Sequence, residues 1–153
     1  MKILVFSDSH GMLENISSAF KSNDFDAVIF LGDGLTDLQT LSQIKKDIPI
    51  YAVRGNCDFF AGPVPEIMMP ELNGKKIFMT HGHLQYVKSG IYNLKMTAKE
   101  SGAHAVLYGH THLPFYEEDC GLIVANPGSA LKGCYAVMTI DENIKFEFKN
   151  KYD

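Results

Sequence analysis

The stretch that decides the fold reads ILVFSDSH, residues 3–10, four apolar residues followed at once by four polar ones. So short an apolar run, rich in β-branched and aromatic residues, has the length of a buried strand, and the abrupt change to Ser7-Asp8-Ser9-His10 marks a loop at its carboxyl end. The pattern recurs: Ala27–Leu31 runs into Gly32-Asp33, and Ile50–Val53 runs into Arg54-Gly55-Asn56. Between these runs lie Met12–Lys21 and Thr36–Lys46, both of helical period. Strand and helix therefore alternate as in βαβ units built on a buried sheet.

Further along, Ile67–Leu72 and Lys75–Thr80 flank Asn73-Gly74, a dipeptide that accepts the positive φ angles of a two-residue hairpin turn. A helix is expected over Val87–Glu100, capped near Gly102, then a strand over Ala105–Tyr108. Leu122–Ala125, Cys134–Ile140 and Lys145–Phe148 read as more strand, with Asp141-Glu142-Asn143 as a turn. Phe59–Pro65 and Leu113–Asp119 read as loops. The sum is an α/β chain whose later strands are expected to form a second, antiparallel-rich sheet.

Bulk properties narrow the function. The 153 residues, 46% of them hydrophobic, are expected to form one domain over 1–153. A formal charge of -4 without a basic cluster speaks against an extended nucleic-acid interface, though not against a nucleotide substrate. Cys57, Cys120 and Cys134 are odd in number and lack a CxxC pair, which fits a reducing compartment rather than a disulfide framework. The first apolar run is too short for a secretory segment or a membrane span, so a cytoplasmic protein without a membrane partner is expected.

The informative pattern is positional. Asp8 and His10 follow the first strand, Asp33 the second, Asn56 the third, His81 the hairpin's second strand, and His110 and His112 the strand after that. In open α/β sheets the carboxyl ends of strands converge, so residues far apart in sequence can meet there. Two carboxylates, one amide and four imidazoles form a mixed O/N donor set without sulfur, suited to Mn²⁺, Fe, Zn²⁺, Co²⁺ or Ni²⁺. Seven donors exceed what one such ion needs, which points to two divalent ions sharing one carboxylate, with Asp33 as the bridge. The i,i+2 spacings of Asp8/His10 and His110/His112 suggest extended segments whose alternate side chains share a side. With His83 beside His81, five of the six histidines fall in these clusters, whereas His104 is expected to be structural.

Taken together, Asp8-Ser9-His10, Gly32-Asp33, Gly55-Asn56-Cys57-Asp58, His81 and Gly109-His110-Thr111-His112 resemble the ordered motifs of the calcineurin-like metallophosphoesterases. The short length, Asn56-Cys57-Asp58, His81-Gly82-His83 and Asn126-Pro127-Gly128-Ser129 resemble the small bacterial and archaeal phosphodiesterases of the YfcE type. The resemblance implies a four-layer sandwich of two packed mixed β-sheets flanked by helices. It also implies that Asp8, His10, Asp33 and His112 hold one metal and Asp33, Asn56, His81 and His110 the other, with Mn²⁺ foremost. The activity implied is hydrolysis of a small phosphoester by a hydroxide bridging the two ions.

Asn56, Cys57 and His83 are the candidates for direct catalytic contact. Cys57 stands where many relatives carry a histidine, and a neutral thiol is a weak donor, so packing or loop tuning is expected of it. His83 is placed to supply the missing donor or to support the ligand loop. Arg54 is expected to brace the loop through Asp58 rather than to bind phosphate, Asp58 to sit behind the ligands, and Asp37 to lie on an exposed helix start. Asn126–Ser129 reads as a turn that the resemblance brings near the site. Phe59, Phe60, Met68, Met69 and Tyr86 are compatible with a groove, a homo-oligomer contact or core, and no function is assigned to them. The rival reading is a non-catalytic scaffold resembling the small subunit of the eukaryotic retromer coat.

Overall fold

The first strand, β1 (Lys2–Phe6), is apolar on both faces because it lies between two layers. Ile3 and Val5 point to one cluster of buried residues, and Leu4 and Phe6 to another. The computed structural model describes residues 1–153, the side chain of Ile44 excepted. After β1 come α1 (Leu13–Ser22), β2 (Ala27–Phe30), α2 (Leu35–Ile44) and β3 (Ile50–Ala52). The short strands β4 (Ile67–Met68) and β5 (Glu71–Leu72) precede β6 (Lys75–Thr80), and α3 (Tyr92–Glu100) leads to β7 (Ala105–Leu107). The chain ends with β8 (Pro114–Asp119), β9 (Leu122–Pro127), β10 (Cys134–Ile140) and β11 (Ile144–Asn150).

These strands form two mixed sheets. One has the order β11-β10-β1-β2-β3; the other runs β4-β6-β7-β9-β8, with β5 paired to β6. Ile3, Val5, Ile29, Ile77, Met79, Leu107 and Met138 fill the space between the sheets. On the outer face of the first sheet, Leu4, Phe6, Val28 and Phe30 pack under Ile16 and Ala19 of α1 and Leu38 and Leu41 of α2. On the outer face of the second, Phe78, Val106 and Val124 meet Leu94 and Ala98 of α3. The expected helix–sheet–sheet–helix layering is thus present, and strand periodicity accounts for it: alternate residues serve alternate layers.

The second sheet differs from expectation. Its centre, β6-β7-β9, is parallel, and antiparallel pairing is confined to its margins. The last two strands return to the first sheet, where β10 pairs antiparallel with β1, Lys2 opposite Thr139. Ile67–Leu72 is split in two, since Met69-Pro70 interrupts it and proline cannot donate to a ladder. The Asn73-Gly74 turn forms as expected, with φ of 48° and 77°. Leu113–Asp119 is not a loop but largely strand β8, joined to β9 by Cys120-Gly121 at φ of 50° and 83°. Its Pro114, Glu117, Glu118 and Asp119 are tolerated because β8 is an edge strand. The third helix begins only at Tyr92, because Gly90 takes φ of 142°, a conformation that no helix contains.

Parallel β1-β2-β3 and β6-β7-β9 bring six carboxyl ends to one margin of the sandwich. Every ligand candidate lies on the loops that leave those ends.

Candidate metal centre

Asp8 leaves β1 completely buried. Its Oδ2 accepts the Ser7 hydroxyl and the backbone N–H of His110 at 2.9 Å, which turns Oδ1 toward the middle of the loop cluster. There Oδ1 lies 3.2 Å from His112 Nε2 and 3.8 Å from both His10 Nε2 and His81 Nε2. Asp33, also buried, accepts the Cys57 backbone N–H at 2.8 Å through Oδ1. Its Oδ2 is 3.2 Å from His81 Nε2 and 3.8 Å from His10 Nε2. Three triplets of donor atoms result, Asp8-His10-His112, Asp33-His81-His110 and His10-Asp33-Cys57, each drawn within 4.8 Å.

The backbone at these ligands is not extended. Asp8, His10, Asp33, His110 and His112 all have positive φ, between 44° and 68°. The i,i+2 pairs therefore converge by left-handed coiling, not by strand alternation, and each such residue costs on the order of 1–2 kcal/mol. The glycines beside them make room: a Cβ on Gly55 would strike Asp33 Oδ1, and one on Gly109 would lie 2.8 Å from Asp8 Oδ2.

Electrostatics favour positive charge at the centre. His81 Nδ1 lies 2.6 Å from the carbonyl of Leu31, which fixes the proton there and aims the Nε2 lone pair at Asp8 and Asp33. Asp8 Oδ1 and His81 Nε2 are buried and, among the described residues, have no hydrogen-bond partner. Burial works against charge on His81, but Asp33 and Asp8 outweigh it and raise its pKa. Burial likewise opposes the Asp33 carboxylate, yet His81 and Cys57 hold it below its ordinary value. Desolvation, then His81 and Lys88, pushes His110 down to about 4, which keeps it a neutral donor. Two buried carboxylates facing imidazole nitrogens are the chemistry of a divalent-cation site, so the donor set fits the metals expected from sequence.

Asn56 sits on the exposed loop after β3, with Nδ2 3.5 Å from Cys57 Sγ. The Cys57 thiol is raised in pKa by desolvation and by the Asp33 charge, which opposes a thiolate role, while its backbone N–H positions Asp33. The ring of His83 lies 5.5 Å from that of His81, its Nδ1 buried. Burial and His81 lower the pKa of His83.

Other expectations are corrected. Arg54 pairs with Glu66 at 3.1 Å rather than with Asp58. Asp58 instead accepts four backbone N–H groups, from Asp33, Gly34, Leu35 and Gly55. Asp37 is buried rather than exposed, because it accepts the Ser9 hydroxyl and the Gly11 N–H and so anchors the His10 loop. His104 is structural as expected, accepting the Lys76 N–H at 3.0 Å.

Asn126 and Ser129 do more than make a turn. Asn126 Nδ2 donates to the Gly109 carbonyl at 3.0 Å and to Thr111 Oγ1 at 3.1 Å, and Ser129 Oγ donates to the Asp8 carbonyl at 2.8 Å. Their signal in the sequence is the end of a further parallel strand, β9, which an antiparallel-rich second sheet would not place at this margin.

Comparison with known proteins agrees with this geometry. The profile of the calcineurin-like phosphoesterase superfamily domain matches residues 1–143. The chain is 31% identical over 149 residues to the probable metallophosphoesterase YsnB of Bacillus subtilis, a match covering 94% of this chain and 86% of that one. It is 31% identical over 157 residues to a phosphodiesterase of Methanocaldococcus jannaschii, covering 92% and 90% respectively. A crystal structure of a predicted phosphoesterase from Streptococcus pneumoniae superposes with TM-score 0.82 at 33% identity, over 97% of this chain and 88% of that one. Vps29 of Cryptosporidium parvum shares the fold, with TM-score 0.75 over 98% of each chain, at 17% identity.

Proposed function

Because the chain belongs to the calcineurin-like phosphoesterase superfamily, we propose that it hydrolyses small phosphodiesters at a two-metal centre built from Asp8, His10, Asp33, Asn56, His81, His110 and His112. The observation that carries this is the pair of buried, unpartnered atoms Asp8 Oδ1 and His81 Nε2, 3.8 Å apart among four imidazoles. Asp8, His10 and His112 would hold one divalent ion, His81, Asn56 and His110 the other, and Asp33 both. Such ions, when bound, polarise phosphoryl oxygens and acidify water toward neutrality. Water adds to phosphorus, the ester P–O bond breaks, and a monoester and an alcohol leave.

The remaining groups act around that step. The Leu31 carbonyl holds His81 in one tautomer, and the Cys57 N–H holds one Asp33 oxygen so that the other faces inward. His83 is our candidate donor to the leaving oxygen; Asn56 lines the same hollow, whereas Cys57 lies with His10 and Asp33. Lacking a histidine at position 57, the chain is expected to favour good leaving groups. Mn²⁺ is the metal we propose, on the mixed O/N donor set. A single domain in the cytoplasm, where three unpaired thiols stay reduced, completes the proposal. No helix among the described residues is long and apolar enough to cross a membrane. The scaffold reading draws on the shared Vps29 fold alone.

The test is hydrolysis of bis(p-nitrophenyl) phosphate after loading with Mn²⁺. Asp33→Asn and His81→Asn should each lower kcat/KM by at least about a hundredfold with the fold intact. Equal turnover in wild type and both variants would overturn the proposal. Negligible metal uptake with no hydrolysis of any phosphoester would favour a scaffold.

A further inference from the structure

The loop that carries Asn56 and Cys57 continues into two phenylalanines that belong to none of the three cores: Phe59 is 81% exposed and Phe60 fully exposed. Adjacent phenylalanines held in water beside a reaction centre mark a contact surface. Phe59 also borders a hollow of about 360 Å³ whose other walls include Arg54, Asn56, Glu66 and His83. Asn56 is a proposed metal ligand, so this hollow adjoins the reacting phosphorus.

Its walls are chemically distinct. Phe59 presents an aromatic face. Opposite in character, Arg54 Nη2 donates to Glu66 Oε1 at 3.1 Å, which occupies one of the five guanidinium N–H groups and leaves the others for a ligand. Glu66 Oε1 also lies 4.0 Å from His83 Nε2, so an anion stands between a cation and an imidazole, a polar row along the wall. An alkyl group would waste that row, and a lone phosphate would waste the ring. A flat heterocycle with donors and acceptors on its rim uses both, by stacking on Phe59 while its edge meets Arg54 and Glu66. The volume lies near the lower end of small-molecule sites, roughly 300–1,000 Å³, enough for one nucleoside but not for a polymer. The overall charge of -4 likewise disfavours a long nucleic acid.

We propose that this hollow is a nucleoside subsite: the substrates are small nucleotide phosphodiesters, one base of which stacks on Phe59. This rests on the phosphodiesterase reading above and adds the identity of the group attached to phosphorus.

Two measurements test it. Adenosine 5′-monophosphate and ribose 5-phosphate, which differ only in the base, are compared as inhibitors of bis(p-nitrophenyl) phosphate hydrolysis by the Mn²⁺-loaded protein. The nucleotide should bind about tenfold more tightly, and Phe59→Ser, at a position too exposed to disturb folding, should bring the two inhibition constants within about twofold. Independently of turnover, Phe59→Trp places the sole tryptophan of the chain in the hollow. Its fluorescence should be quenched by the nucleotide and not by the sugar phosphate. Equal inhibition together with equal quenching would overturn the subsite while leaving the phosphodiesterase reading in place. Absence of hydrolysis with base-dependent quenching would overturn that reading and leave a nucleotide-binding hollow.

Discussion

The Asp58 carboxylate accepts the backbone N–H of Asp33 at 2.7 Å. The same side chain takes the N–H groups of Gly34 and Leu35, where α2 begins, and of Gly55, ahead of Asn56. One carboxylate thus caps a helix and ties two ligand loops together. Asp58→Ala leaves four donors to find water and should cost about 2 kcal/mol, read as a lowered urea midpoint. Mn²⁺ affinity, measured by calorimetry, should fall with it. Wild-type affinity in this variant would show that the Asp33 loop holds itself.

Asn126 and Ser129 are completely buried and fix the backbone of Gly109 and Asp8. Replacing groups that orient metal ligands typically costs 10–100-fold in metal affinity. Asn126→Ala should therefore weaken Mn²⁺ binding by about that factor while His81 keeps its Leu31 contact. A calorimetric titration indistinguishable from wild type would refute the assignment.

Gly109 and Gly62 make a controlled pair. A Cβ at Gly109, which lies outside the positive-φ region, would collide with Ser7 and Asp8, whereas at Gly62, at φ of 63°, no heavy atom lies within 4 Å. Gly62→Ala should cost only the backbone penalty of about 1 kcal/mol. Gly109→Ala should cost roughly 3 kcal/mol or more and abolish metal uptake. Equal melting temperatures for the two variants would contradict the crowding seen at Asp8.

Away from the centre, Asp119 on β8 lies 2.9 Å from Lys95 Nζ and 3.0 Å from Lys99 Nζ on α3. These lysines hold its carboxyl below the ordinary 3.8. A carboxylate depressed in the folded state adds stability that is fully present above its unfolded pKa and is lost as pH falls through the folded value. Asp119→Asn should lower Tm at pH 7, and the gap to wild type should close as pH drops below 3.8 and as salt is added. A gap that persisted in strong acid would assign the effect to packing.

What the sequence revealed follows from where each element gets its stability. Ile3–Phe6 and Ala27–Leu31 are apolar throughout because both of their faces are buried, so they were readable. Strand β8 was not, since its edge position lets Glu117, Glu118 and Asp119 stand in water. The pairing of β10 with β1 joins Lys2 to Thr139, a contact that no local pattern encodes. The seven candidate donors were legible as strand-end residues, but the left-handed backbone at five of them was not, because no local pattern of residue types marks it. The Arg54–Glu66 pair was missed for the same reason as β10: its partner arrives by folding.

The positive φ angles of Asp8, His10, Asp33, His110 and His112 bear on how the site can be dissected. An alanine scan would confound two quantities there, loss of a donor atom and forcing of an unsuitable side chain into left-handed backbone. Glycine tolerates that backbone and adds no donor, so His10→Gly deletes an imidazole cleanly where His10→Ala does not. His81 lies outside that region, which makes it the imidazole at which alanine and glycine variants should agree most closely. The disagreement between them elsewhere would measure, ligand by ligand, how much conformational energy the protein invests in holding its donors ready.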